Sequence, residues 1–142
     1  MKMVFHLSWL KAGHPAARGF KHAAAFELFF EYQKRISHFF PCEVQGSLPQ
    51  EGRVWLCDRG PGSKVLSSED LAKHLQEVPK RISIVIGGPD GFSREQMASL
   101  KPSLRWSFGP LTLPHELAAI VAAEQIYRAF TILKKMPYHS AH

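Results

Sequence analysis

The sequence predicts an α/β protein built on a parallel sheet, and three observations carry that prediction. Residues 54–57 (VWLC) and 82–86 (ISIVI) are apolar at nearly every position, as strands covered on both faces are. Each run empties into a loop rich in glycine and proline, Asp58-Arg59-Gly60-Pro61-Gly62 and Gly87-Gly88-Pro89-Asp90-Gly91. A helix signal follows each loop, which is the alternation that generates parallel sheets. Ligands of such sheets sit beyond the carboxyl ends of the strands. Three loops fall there: after Leu56, after Ile86, and at 108–113.

Taken in order, residues 1–10 read as a first strand through Val4, Phe5, Leu7, Trp9 and Leu10. From about Pro15 to Ser37 the pattern is helical, with Phe26, Phe29, Phe30 and Ile36 inward and Glu27, Glu31, Lys34 and Arg35 outward. On that helix His14, Arg18, Lys21 and His22 share one side. A short strand is expected at 43–45, then a loop at 46–52 from its Gly, Pro, Ser and Gln content. Ser67 or Ser68 caps a helix whose first turn holds Glu69 and Asp70, with Leu71, Leu75 and Val78 inward. Ser93 caps a short helix to about Leu100, and 105–108 forms a last strand.

The C-terminal stretch then carries a long helix. Pro114 suits its first turn, where no N–H is needed, and Glu116 suits the positive end of its dipole. Ile120, Ala123, Tyr127 and Phe130 recur at helical spacing, widened by Leu117, Val121, Ile126 and Leu133. Pro137 stops the helix, leaving Tyr138 and His139 on an exposed tail. So broad an apolar stripe must pack on the sheet or on a second subunit.

A chain of 142 residues with 45% hydrophobic and 21% charged residues suits one folded domain spanning 1–142. No apolar run approaches the roughly 20 residues of a membrane span, and the start lacks a cleavage pattern, so a cytoplasmic protein is expected. Cys42 and Cys57 show no CxxC spacing and read as reduced thiols. The eight histidines form neither HxH nor HExxH, so no metal is expected. The net charge of +6 permits a polyanionic partner, and no Asp or Glu precedes Glu27. That leaves Arg18 and Lys21 either on a solvated face or facing phosphates. The Gly87-Gly88 loop is neither GxGxxG nor a phosphate loop; it is a tight turn or a place where backbone meets a flat ligand.

Taken together, IGGPDG (86–91), LTLPHELA (111–118), EQIYRAFTI (124–132) and PYH (137–139) resemble the RlmH family of the SPOUT superfamily. The match covers roughly 54–139. The resemblance implies an α/β fold with a deep C-terminal trefoil knot, a homodimer packed partly through the last helix, and S-adenosylmethionine as methyl donor. Its implied cofactor contacts are the backbone at Leu56 and Gly87 and the loop Phe108, Gly109, Pro110, Leu111, Thr112 and Leu113. Its implied reaction is methylation of N3 of a pseudouridine in 23S rRNA, on the ribosome or large subunit. His115 and His139 are then candidates for handling the N3 proton, and Tyr138 for stacking on or bonding the base. Arg18 and Lys21 would hold rRNA phosphates.

Three departures from the family pattern stand out. Trp9-Leu10-Lys11 replaces the usual Gly-Lys pair, the region before Val54 is short, and Ser140 follows PYH where a basic residue is common. Two alternatives follow from them: a SPOUT methyltransferase acting on another RNA, or a ribosome-binding relative that no longer turns over.

Overall fold

The structure is a computed structural model, and it describes residues 2–78 and 80–141. Six strands form one sheet: β1 (Lys2–Leu7), β2 (Cys42–Gln45), β3 (Arg53–Cys57), β4 (Lys64–Val65), β5 (Arg81–Ile86) and β6 (Leu104–Ser107). Their order is β2-β1-β5-β3-β6-β4, and every neighbouring pair is parallel. The α/β expectation is therefore met. The two all-apolar runs lie in β3 and β5, adjacent at the centre, where both faces need cover. Met1 of the expected first strand lies outside the described residues.

Alternation along the strands divides the core in two. Met3, Phe5, Leu7, Trp55, Ile82, Ile84, Ile86, Leu104 and Trp106 point to one face. There they meet α2 (Ala23–Ser37), α3 (Ser68–Gln76) and α5 (His115–Leu133), with α5 packed between the other two. Val54, Leu56 and Val85 point to the other face, covered by Leu100 and Met97 of α4 (Arg94–Leu100) and by Phe92 and Leu48. Caps fix the helix starts: Ser67 accepts from the Asp70 N–H, and Ser93 with Gln96 makes a reciprocal capping box.

The structure revises several expected boundaries. The helix expected over 15–37 is broken into α1 (Ala16–Gly19) and α2 by an extended Phe20. Two things break it. The Phe20 ring is buried among Trp9, Phe26, Phe29 and Phe30, and the Glu116 carboxylate accepts the Lys21 and His22 N–H groups at 2.7 and 3.2 Å. Gly19 allows the turn, because a Cβ there would lie 2.4 Å from Leu10 Cδ2. His14, Arg18, Lys21 and His22 consequently do not share a helix side. Pro114 is the N-cap of α5 and not part of its first turn.

The buried stripe of α5 runs through Ala119, Ala122, Ala123, Ile126, Ala129 and Phe130, with Ile120 and Tyr127 at its edge and Leu117 exposed. Small residues let α5 approach the sheet closely, a fit that hydrophobic spacing alone misplaces by one position. The strand β4 was not foreseen; its two residues are too few for a sequence pattern.

Buried His6 should make stability depend on pH. His6 of β1 is fully buried; its Nδ1–H donates to the Ser47 carbonyl at 2.6 Å, and the Ser83 hydroxyl lies 3.0 Å from Nε2. Burial lowers its pKa below the ordinary 6.5, outweighing the Ser47 bond, which favours the cation. The unfolded chain therefore binds a proton that the folded chain refuses. This contribution to stability is complete above pH 6.5 and is lost as pH falls below it. The urea midpoint should drop between about pH 7.5 and about pH 5. His6→Gln, which keeps polar partners without titrating, should flatten that drop; an equal drop in the variant would assign it elsewhere.

Candidate active site

The carboxyl ends of β3, β5 and β6 converge on a cavity of about 680 Å³. Its floor is the strand ends, Cys57, Ile86 and Trp106. One wall is the turn after β5, Gly87, Gly88, Pro89, Gly91 and Phe92, where the Gly91 N–H donates to the Gly88 carbonyl at 3.0 Å. The opposite wall is Phe108, Leu111, Thr112, Leu113 and Pro114, leading into His115 and Ala118 of α5. The absence of a side chain at Gly87 lets the Phe92 ring lie on the strand end: a Cβ there would come within 2.8 Å of Phe92 Cε2. Gly109 has φ 101°, a conformation that glycine adopts without strain.

Charge around the cavity is arranged by pairing. Asp58 accepts from Arg105 Nε at 2.9 Å and from the Gly60 N–H at 3.1 Å. Burial is the largest single influence on the Asp58 pKa and raises it, but the bond and charge of Arg105 together with the Gly60 and Arg59 N–H groups outweigh it, and the net shift is downward. Arg59 reaches across from the β3 loop to the Thr112 hydroxyl. Burial pushes the Cys57 thiol well up, so it stays protonated in the cavity floor.

His115 sits on the first turn of α5 with its ring edge-on to Trp9, centroids 4.6 Å apart. Partial burial lowers its pKa; Glu116, 3.7 Å from Nε2, opposes that shift and Lys21 adds to it. At neutral pH His115 is an uncharged acceptor at the cavity rim.

The tail is not exposed at Tyr138 and His139 as expected; both are half-buried. A left-handed Lys135 (φ 56°) reverses the chain, and residues Tyr138–Ala141 form α6 against α5. The Tyr138 hydroxyl donates to Glu124 at 2.8 Å, beneath the Arg128 guanidinium. Arg128 donates to His139 Nδ1 at 3.0 Å, and His139 Nε2–H donates to Glu69 of α3 at 2.6 Å. Burial, with help from Tyr32 and Glu124, pushes the Tyr138 phenol up, so it stays a donor.

Of the residues expected to meet a cofactor, Gly87, Phe108, Leu111, Thr112 and Leu113 line the cavity. Leu56 is fully buried one residue beneath the rim, where Cys57 takes the lining position; Gly109 and Pro110 lie in the same loop but are not among the lining residues. His115 lines the cavity, while Tyr138 and His139 do not. The tail contacts begin at Glu124, nine residues along α5 from His115, about 13 Å by helical rise. Arg18 and Lys21 are exposed on the broken N-terminal segment. Sequence reasoning missed Phe92, Met97 and Trp106; the one signal was the place of Phe92 and Trp106 near strand ends, while Met97 lies within α4. Among the described residues no cluster of His, Cys, Asp or Glu is placed to hold a metal, and no helix is long and apolar enough to cross a membrane.

Comparison with known proteins fits this geometry. A family model described as "Predicted SPOUT methyltransferase" matches residues 43–139. Ribosomal RNA large subunit methyltransferase H of Xanthomonas oryzae pv. oryzae is 38% identical over 139 residues, covering 80% of this chain and 88% of the relative. Its namesake from Xanthomonas campestris pv. campestris is 37% identical with the same coverage. A solved structure titled "a probable methylase family protein" from Haemophilus influenzae Rd KW20 matches 96% of this chain and 69% of its own, with TM-score 0.56. At 12% identity it supports the fold alone. From the family match and relatives of this identity and coverage, the chain belongs to the SPOUT methyltransferase family, among its large subunit methyltransferase H members.

Proposed function

We propose that this protein is an S-adenosylmethionine-dependent methyltransferase of large-subunit ribosomal RNA, and that its target is N3 of a pseudouridine in a 23S rRNA stem-loop. The observation that carries the reading is the cavity at the ends of β3, β5 and β6. It joins apolar walls, a side-chain-free strand end and a neutral histidine at one rim. Those walls fit a flat purine and a thioether stem, and no fixed cation other than Arg59 lines the cavity among the described residues to repel a sulfonium. The C-terminal trefoil knot of the family belongs to the same proposal, as do a cytoplasmic location and recognition of the assembled ribosome or large subunit.

When bound, S-adenosylmethionine supplies a methyl group on a sulfonium, already a strong electrophile. The protein's residues have two tasks left: alignment and proton handling. Gly87 and the 108–113 loop orient the donor through backbone groups, and Leu111, Leu113 and Phe92 exclude water. His115, uncharged because it is desolvated, accepts the N3 proton directly or through a water. Tyr138, held in its protonated form, serves as a donor or stacking surface for the base. Arg18, Lys21 and neighbouring bases of the N-terminal segment hold rRNA phosphates.

Pocket and tail sit apart on one protomer, yet the reading needs both. We therefore place the active unit as a homodimer, in which one copy's tail serves its partner's cavity. Leu111, Leu117 and Met136, exposed on one chain, supply apolar surface for the contact.

The most direct check is nucleoside mapping. Large-subunit rRNA from a strain lacking this protein should lose N3-methylpseudouridine, and restoring the gene should return it; unchanged methylation would refute the substrate. A chain ending at Pro137 should dimerise and bind S-adenosylmethionine normally but lose at least about tenfold in turnover, about 1.4 kcal/mol of transition-state stabilisation. Mixing it with His115→Asn should restore part of the activity, because a mixed dimer contains one intact composite site; no recovery would place both elements in one chain. The turnover profile should show an acid limb centred below 6.5, since the lowered His115 pKa keeps the base competent to lower pH. A limb centred above that value would remove His115 from the role.

A further inference from the structure

We propose that Arg59 binds the carboxylate of the methyl donor's amino-acid portion, and that it exchanges its grip on Thr112 for that carboxylate as the donor enters. The inference rests on the donor reading above and goes beyond it to the charged end of the ligand. The groups lining the cavity that can carry charge near neutral pH are Asp58, Arg59 and His115. Asp58 is already committed to Arg105 and to the Gly60 N–H. His115 is held uncharged by burial. Arg59 alone is a permanent cation, and among the described residues its guanidinium is in no ion pair: the neighbouring Asp58 carboxylate is taken by Arg105, and the Arg59 side chain donates to the neutral Thr112 hydroxyl.

A guanidinium carries five N–H donors in a planar fork, so one hydroxyl leaves most of them uncommitted. The amino-acid end of S-adenosylmethionine presents a carboxylate that matches that fork with two parallel bonds. Position agrees with chemistry. Arg59 projects from the β3 loop at the cavity's edge, and its present partner, Thr112, lies on the opposite wall. A ligand seated on the strand ends would extend its polar end between the two. The Asp58–Arg105 pair next to Arg59 keeps its own carboxylate occupied, so Arg59 is not neutralised from behind.

The test is a two-by-two binding comparison by calorimetry on the full chain, using S-adenosylmethionine and decarboxylated S-adenosylmethionine. The second keeps the purine, sulfonium and amine and lacks only the carboxylate. Wild type should prefer the carboxylated ligand by about fivefold or more. Arg59→Gln should weaken it to the level of the decarboxylated ligand, whose own affinity changes little. Arg59→Lys, which keeps charge without the fork, should fall between. Equal losses for both ligands in Arg59→Gln would mean the side chain shapes the cavity, and unchanged affinity for both would assign it elsewhere, to rRNA phosphate for instance; either result overturns the proposal. A wild type that binds neither ligand overturns the donor reading itself, and this inference with it.

Discussion

Much of the site depends on where one buried carboxylate points. Glu116 belongs to the first turn of α5, yet it caps the start of α2, taking the Lys21 and His22 N–H groups. A carboxylate as buried as this one is tolerable only when its oxygens are occupied, and each bond to an ionised acceptor is worth roughly 1.5–3 kcal/mol. Through that contact the origin of α2, the basic N-terminal segment and the rim histidine become one rigid corner. Trp9 completes it from the turn after β1, packing against both His115 and Phe20. The cavity wall at 113–118 is therefore set by contacts nearly a hundred residues apart in sequence.

The chemistry of the cavity follows from suppression of charge more than from its display. Burial holds His115 neutral and keeps Cys57 protonated, while Arg105 absorbs the Asp58 carboxylate. A site that handles a cationic donor gains from a rim on which Arg59, at the cavity's edge, is the sole fixed cation among the described residues. Neutral acceptors and donors then act only where the substrate brings its own proton.

Legibility from sequence followed the range of the interactions involved. The central strands announced themselves because a strand covered on both faces has no polar alternation to hide behind, and Ser67 and Ser93 announced their helices because a cap bonds within three residues. The strand-end loops could be placed at a ligand site by topology alone. What could not be read was anything decided across the sheet. The break after Gly19 comes from Glu116 and from a ring cluster; the docking of Tyr138 and His139 comes from Glu124, Arg128 and Glu69. Neither leaves a local pattern. The resemblance to a family supplied the donor and the reaction, which no periodicity could, but not the separation between His115 and the tail.

The sheet's two margins have a consequence for assembly. On one side β4 is only two residues long and begins with Lys64; on the other β2 has four, bounded by Pro41 and Gly46. Neither margin offers a run of free backbone groups long enough to template another strand. A second copy of the chain is thus denied the non-selective handhold that open sheets provide. In the homodimer proposed above it would have to be recognised by side chains on helices and loops instead.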